Sequence, residues 1–479
     1  MSDATAEASA AAVQVDLDAL IAEARKFVGE EAVGEPLHGL DEVNVPMIRH
    51  FCQAVGDTNP VYLDDDAAKA SRHGGPVCPP AMLGVWTMGT PRNAGGPRDR
   101  VMRALDQAGY TSVVATDYSH EYLVEVRPGD RIHERRSVED LVGPKTTGLG
   151  EGWFATTRYD YYRQDGTLLG IGRMRLLKFR PRATGGSGGG SKRPKAQRPR
   201  PVINRDNQFF WDGVEVGELR IQRCADCARL RHPPGPMCPS CRSTNWDWTV
   251  ASGRGTVFSY AIHHHPPLPG IDPPHTVLLI DLDEGVRFLS HATGMTHRDV
   301  SIGMPVELTF ESVDDELTLP LFRPVDGALP EPPAPPTTVD DVQTGTVIPG
   351  FEIEMTPTFI ISGALATRDF EEVHHDPAIA KARGSEDLFP NILTSNGLAL
   401  RLVTDWLGPN AIIEKASIRL GLPAYVGETL RMTGEVVRVQ PRPDRGDGEV
   451  EIAVRGRIST GDHLAGTVVA SVPMDEVPA

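Results

Sequence analysis

Arg368-Asp369-Phe370-Glu371-Glu372-Val373-His374-His375-Asp376 places a carboxylate and an imidazole five residues apart. If the residues between them form a helix or a tight loop, little more than one turn separates Asp369 from His374, and both face one small volume. A carboxylate that accepts one proton of a water while an imidazole handles the other is the minimum apparatus for adding water to a polarised double bond, or removing it. The same spacing also arises by chance around a helix cap, so the surrounding chain has to decide between the two readings.

Downstream lie Pro390 and Ser395-Asn396-Gly397-Leu398, a turn into a helix with an apolar stripe of Leu398, Ala399, Leu402, Val403 and Trp406, and Arg401 and Asp405 on its wet side. Together with Asp369 and His374, this resembles the hydratase-2 motif of the MaoC-like enoyl-CoA hydratases, a hot-dog-fold family. The family has Asn-Pro between its two catalytic groups, where this chain has Glu371-Glu372. The resemblance implies that Asp369 and His374 hold the attacking water. It also implies that a backbone N–H at the helix start, from Ser395 or Gly397, stabilises the thioester oxygen, with Asn396 beside the substrate.

An earlier stretch, Gly56-Asp57-Thr58-Asn59-Pro60-Val61-Tyr62, matches the same motif more closely up to its proline, but Tyr62 stands in the place of the histidine. A phenol with an ordinary pKa near 10 is a poor proton shuttle at neutral pH. Val77-Cys78-Pro79-Pro80-Ala81-Met82-Leu83 overlays the helix start and puts Pro80 at the oxyanion position, where proline has no N–H to give. The two losses at one site point to a catalytically silent copy, with Tyr62 and Pro80 left to line space for a bulky acyl group; the alternative is an active variant in which Tyr62 replaces the histidine. Strand-like runs follow each motif, at 121–126, 153–163 and 168–179 in the first copy and around 416–420, 430–432 and 450–454 in the second. The expected fold is therefore α+β, two hot-dog domains paired edge to edge into a double hot dog.

The chain has 479 residues, with 65 acidic against 48 basic side chains and a net charge of -17, which argues against nucleic acid as a partner. It has no apolar run long enough to span a bilayer, and its acidic, Ala-rich start carries no secretory pattern, so a cytoplasmic protein with no membrane association is expected. A Gly/Ser run at 185–191 with a basic extension and a Pro-rich run at 330–336 divide the chain. The expected organisation is a disordered tail over 1–15, the silent hot dog over 16–182, a flexible linker over 183–202, a middle domain over 203–325, a Pro-rich linker over 326–339 and the catalytic hot dog over 340–479. The first hot dog opens with an amphipathic helix from Asp16 to Val28.

In the middle domain, Cys224-Ala225-Asp226-Cys227 and Cys238-Pro239-Ser240-Cys241 are two C-x-x-C knuckles whose four thiolates can converge on one structural Zn²⁺. Cys52 and Cys78 have no such partners and are expected to be buried. Short strands at 255–262, 276–282, 287–291, 305–310 and 317–322 suit an OB barrel. His263-His264-His265 does not suit a metal site, because successive strand residues point to opposite faces.

A silent MaoC-like copy, a zinc-ribbon/OB unit and an active MaoC-like copy, in that order, resemble the heteromeric enoyl-CoA hydratases of bacterial sterol side-chain degradation, with both subunits on one polypeptide. That resemblance implies hydration of a steroid enoyl-CoA, CoA being the carrier on the substrate thioester, and docking of a lipid-transfer-protein-like, thiolase-fold aldolase on the zinc/OB unit. No Gly-rich phosphate loop follows a strand, so no redox cofactor is expected. A homodimer is the default assembly. Two other readings stay open: a non-catalytic acyl-CoA-binding scaffold for the aldolase, and a hydratase of straight-chain enoyl-CoA.

Overall fold

The computed structural model describes residues 17–29, 36–88, 97–181, 198–263, 268, 271, 275–295, 297, 299–314, 316–325 and 334–474. The tail at 1–15, the Gly/Ser run, the basic extension up to 197, His264, His265 and the first part of the Pro-rich run lie outside these residues. The chain divides into two compact units, one made of 1–189 and 333–479, the other of 190–332.

The larger unit carries one ten-stranded sheet. Its first five strands run in the order Leu37–His38, Ile132–Thr146, Gly150–Arg163, Leu168–Pro181, Ser112–Tyr122. The next five, Ile412–Leu420, Gly461–Pro473, Asp447–Ile458, Thr429–Arg442 and Val347–Glu354, repeat that order in mirror sequence. The halves join where Ser112–Tyr122 pairs antiparallel with Ile412–Leu420, in a register that sets Ser119 opposite Ser417. This is the edge-to-edge double hot dog, and the pairing removes an open edge from each half. In the second half the alternation is regular: Leu430, Met432, Gly434 and Val436 turn inward along one strand, and Val450, Ile452 and Val454 along its neighbour.

Several elements escaped the sequence reading, helices Val45–Val55 and Pro357–Ala366 and strand Val347–Glu354 among them. Strand Ile132–Thr146 is rich in charge, and its register slips between Val138 and Asp140, which breaks the period-two signal. Helix Pro97–Gln107 packs its Val101, Ala104 and Leu105 against Ile21 and Ala24 of the first helix, Leu17–Lys26. The strand expected at 121–126 ends at Tyr122.

In the long helix Ile392–Leu407 the expected stripe is buried and Arg401 and Asp405 are the two residues that escape burial, on the side the sequence assigned to water. Burial extends further than the stripe, to Thr394, Ser395, Asn396 and Thr404, because the sheet wraps the helix. Even Arg401 is engaged: it pairs with Asp405 (3.1 Å), lies over the Phe351 ring (4.3 Å) and donates to Val55 O (2.8 Å) at the end of helix Val45–Val55 in the other half.

In the middle unit a three-stranded ribbon (Leu230–Arg231, Arg220–Cys224, Trp246–Val250) precedes a five-stranded sheet. The sheet order is Arg287–His291, His275–Leu282, Arg254–His263, Pro305–Asp314, Leu317–Pro324, and a parallel bridge from Ala292 to Phe322 brings its first and last strands together. All five strands fall where the sequence put them, as an OB barrel. Phe209 and Phe210 of helix Gln208–Glu215, Ile221 of the ribbon, and Val257, Leu278 and Phe322 of the barrel share one core.

Candidate active site

Helix Pro357–Ala366 is capped by Thr356, whose side chain accepts from Phe359 N, and it ends in a tight turn. Arg368 takes a left-handed conformation (φ 56°), and Asp369 N–H closes back on Ala364 O (2.9 Å). That closure sets the Asp369 carboxylate inward. A single 3-10 turn, Glu372–His374, then brings the imidazole to it, leaving His374 Nε2 3.9 Å from Asp369 Oδ2. The predicted pair therefore does face one volume. Glu371 and Glu372, in place of Asn-Pro, face outward and pair with Arg383. On its outer side the loop presents Phe370 and His375 to a cleft of about 290 Å³ that includes neither Asp369 nor His374.

His374 is 8% exposed, and burial lowers its pKa from the ordinary imidazole value although Asp369 pulls the other way. Its Nδ1 lies 2.8 Å from Phe389 O, a carbonyl that can only accept, so Nδ1 carries the hydrogen and Nε2 presents a lone pair toward Asp369. The Phe389 ring packs edge-on against the imidazole at 4.9 Å.

Asn391, which the sequence reading passed over, holds this arrangement to the long helix. It is the N-cap: its Oδ1 accepts from Thr394 N (2.9 Å), while its Nδ2 donates to Asp369 Oδ2 (2.9 Å) and Thr367 Oγ1 (2.8 Å). Asn before a helical run was the signal available in the sequence.

Ser395 and Gly397 stand differently from the expectation. Ser395 N–H makes the helix bond to Asn391 O (3.1 Å), so it is not free for a ligand. The Ser395 hydroxyl lies 2.9 Å from His463 Nε2, whose Nδ1 is tied to Leu422 O (2.8 Å). Gly397 sits deeper in the helix, where a Cβ would fall 2.9 Å from Phe51 Cζ of the other half, so the glycine there answers a close approach. The N–H groups that precede the first intrahelical bond are those of Asn391, Ile392, Leu393 and Thr394, and the Asn391 side chain accepts the last of them. Asn396 is buried beside the Tyr122 hydroxyl, at the seam between the halves.

At the matching place in the first half, Asp57 accepts from Asn59 N (2.9 Å), and burial pushes its pKa up to about 6. Tyr62 is buried, and its phenol is held well above its ordinary pKa by that burial. Among the described residues, 3-10 turns Pro80–Met82 and Val85–Thr87 stand at the place of the long helix, led by Pro79 and Pro80. Cys52 and Cys78 are buried, as expected.

In the ribbon the two knuckles are near copies. Ala228 N–H returns to Cys224 O and Arg242 N–H to Cys238 O (both 2.9 Å), and both turning residues have positive φ, 60° and 62°. The ligand atoms of Cys224, Cys227, Cys238 and Cys241 lie within 4.8 Å of one another, with Sγ pairs at 3.5 and 3.6 Å, close to the edge of a tetrahedron around zinc. All four thiols fit the metal.

Three family models match consecutive regions: the FAS1-like dehydratase domain region over 31–169, the ChsH2 rubredoxin-like zinc ribbon over 211–247 and the ChsH2 C-terminal OB-fold domain over 248–311. A probable enoyl-CoA hydratase alpha subunit of Thermomonospora curvata is 47% identical over 298 residues, 61% of this chain and 92% of that one. This chain belongs to the enoyl-CoA hydratases. The 3-oxo-4,17-pregnadiene-20-carboxyl-CoA hydratase beta subunit of Mycobacterium tuberculosis is 48% identical over 128 residues, 27% of this chain and 95% of that one, so matches to both subunit types occur on one polypeptide. A solved chain titled Ltp2-ChsH2(DUF35) aldolase is 50% identical, covering 26% of this chain and 98% of that one, with a TM-score of 0.26. As an enoyl-CoA hydratase the protein is a hydro-lyase, a MaoC-like double hot dog with zinc-ribbon and OB-fold domains in the middle of its sequence. Among the described residues no helix is long and apolar enough to cross a membrane.

Proposed function

We propose that this hydratase adds water across the α,β double bond of a bulky steroid side-chain enoyl-CoA, and that Asp369 and His374 do it. The observation that carries the reading is the 3.9 Å gap between His374 Nε2 and Asp369 Oδ2. It is too long for a direct hydrogen bond and suited to a bridging water. A neutral imidazole with its hydrogen on Nδ1 and a carboxylate both act as acceptors, so a water between them donates both hydrogens and turns an oxygen lone pair to the β-carbon. As the C–O bond forms, one of the two acceptors takes one water proton and returns that same proton to the α-carbon, directly or through a water, so the other water hydrogen stays on the β-hydroxyl and both side chains end in their starting states. Negative charge that develops on the thioester oxygen meets the N–H groups of Ile392 and Leu393 and the positive end of the long helix. This reading moves the oxyanion role from Ser395 and Gly397 to the first helical turn.

The steroid part rests on the names of the curated relatives and on the first half, where short 3-10 turns stand in place of a long helix. Tyr62, Pro80 and Asn396 then border the acyl group, and the first half works as a wall of the site. The four cysteines hold a structural Zn²⁺, and the zinc/OB unit recruits a thiolase-fold aldolase for the product. The assembly is a homodimer in the cytoplasm.

The test is a panel of enoyl-CoA thioesters, from crotonyl to steroid side-chain, followed by loss of enoyl absorbance. Turnover confined to bulky substrates supports the proposal. Equal turnover of crotonyl-CoA replaces it with a straight-chain hydratase, and no turnover leaves the scaffold reading. Cys238→Ser should lose the zinc and aldolase co-purification while hydration stays within about threefold, since a closed four-thiolate site has no open position for substrate. Loss of hydration in that variant would overturn the separation of roles.

A further inference from the structure

The cap of the long helix and the carboxylate of the loop form one hydrogen-bonded unit. Because Asn391 Oδ1 accepts Thr394 N–H (2.9 Å), its amide has a single orientation, and Nδ2 must point to Thr367 Oγ1 (2.8 Å) and Asp369 Oδ2 (2.9 Å). Thr367 can accept because its own hydroxyl hydrogen returns to the preceding helix, at Gly363 O (2.8 Å) or Ala364 O (3.1 Å). A flipped amide would set its oxygen against the Asp369 carboxylate and its NH₂ against the Thr394 N–H. Asn391 is 1% exposed and Thr367 fully buried, so no bulk water substitutes for a lost partner. The remaining carboxylate oxygen, Oδ1, accepts Glu371 N–H (3.1 Å).

We propose that Asn391 is a positioning residue for hydration: its amide aims the Asp369 carboxylate, and the same side chain ties that carboxylate to the helix turn that receives the thioester oxygen. The inference rests on the assignment of Asp369 and His374 as the water-handling pair. Through Asn391 the base and the oxyanion donors keep a fixed separation, and Thr367 keeps the amide from turning.

Two substitutions separate this role from simple helix capping. Asn391→Ser retains a good cap acceptor but is too short to reach Asp369. Asn391→Asp retains the cap and replaces the amide donor with a carboxylate facing Asp369. For Asn391→Ser, kcat should fall by about 10- to 100-fold with KM within about threefold, the pattern of an interaction that matters in the transition state. For Asn391→Asp, two carboxylates share one site, so the acid limb of the kcat/KM profile should move up by about one pH unit or more. A capping role alone predicts altered thermal stability in either variant with kcat and the acid limb unmoved, and that result would overturn the inference. If one variant fails to fold, the other decides. The two levels of the proposal fail differently. Full activity in Asp369→Asn and His374→Ala would remove the catalytic pair itself. Loss of activity in those two, with unchanged kcat in Asn391→Ser and an unmoved acid limb in Asn391→Asp, would remove only the positioning role.

Discussion

The two halves of the ten-stranded sheet run the same strand order, yet at the matching loop one half has Asp369, His374 and a capped sixteen-residue helix, and the other has Asp57, Tyr62 and two short 3-10 turns. Asp369 has a donor for each carboxylate oxygen, from Asn391 and from Glu371 N–H. Asp57 takes one N–H from Asn59, and burial raises its pKa to about 6. Two sheet halves of one strand order therefore carry different loops. On the proposed mechanism, a hydratase site needs one helix start with usable N–H groups and the side chains that hold a carboxylate against it.

The comparison is broken most directly by exchanging parts. Asp369→Asn or His374→Ala should lower kcat by about 10³-fold, the range for losing a general acid or base, in the absorbance assay. Restoring the motif in the first half with Tyr62→His, on the Asp369→Asn background, should not recover turnover, because Pro80 still offers no N–H. Recovery would show that the first half is a site in waiting.

The next largest effect tests the seam. Gly397→Ala forces a Cβ against Phe51 and should cost about 1–2 kcal/mol in denaturant unfolding after the gain in helix propensity, with Phe51→Leu restoring most of it.

A similar effect comes from His120, buried in the first half among Tyr118, Tyr122 and Tyr161, where burial lowers its pKa to about 3. The unfolded chain binds a proton there near pH 6.5 and the folded chain does not, so stability falls as pH drops through 6.5 and the loss continues toward 3. By pH 5 the loss is about 2 kcal/mol at 1.36 kcal/mol per unit, and chemical denaturation of His120→Phe should show it removed. The smallest effect belongs to Tyr62→Phe, which should leave turnover within about twofold if the first half is silent. A larger drop would bring the phenol into the reaction.

Much of this was legible because it is written locally. The knuckle spacing depends on a few bonds of reach, and strands such as Leu430–Val436 alternate because one face is buried. Strand Ile132–Thr146 was not legible, since its register slip puts the apolar residues out of phase. Arg401 reads as a surface ion pair in sequence, and only the chain 346 residues earlier shows why it is half-buried on Val55 O.

The order of the domains, the four clustered cysteines, the short spacing from Asp369 to His374 and the tyrosine at 62 could be read from the sequence alone, because each depends on residue identity at short spacing. Only the tertiary structure decided that the long helix lies wrapped in the sheet, that Gly397 yields to Phe51, that Ser395 N–H is already bonded, and that Asn391 reaches back to Asp369. Those contacts join side chains 22 or more residues apart, or count which N–H groups a helix leaves open, and neither can be read before the chain has folded.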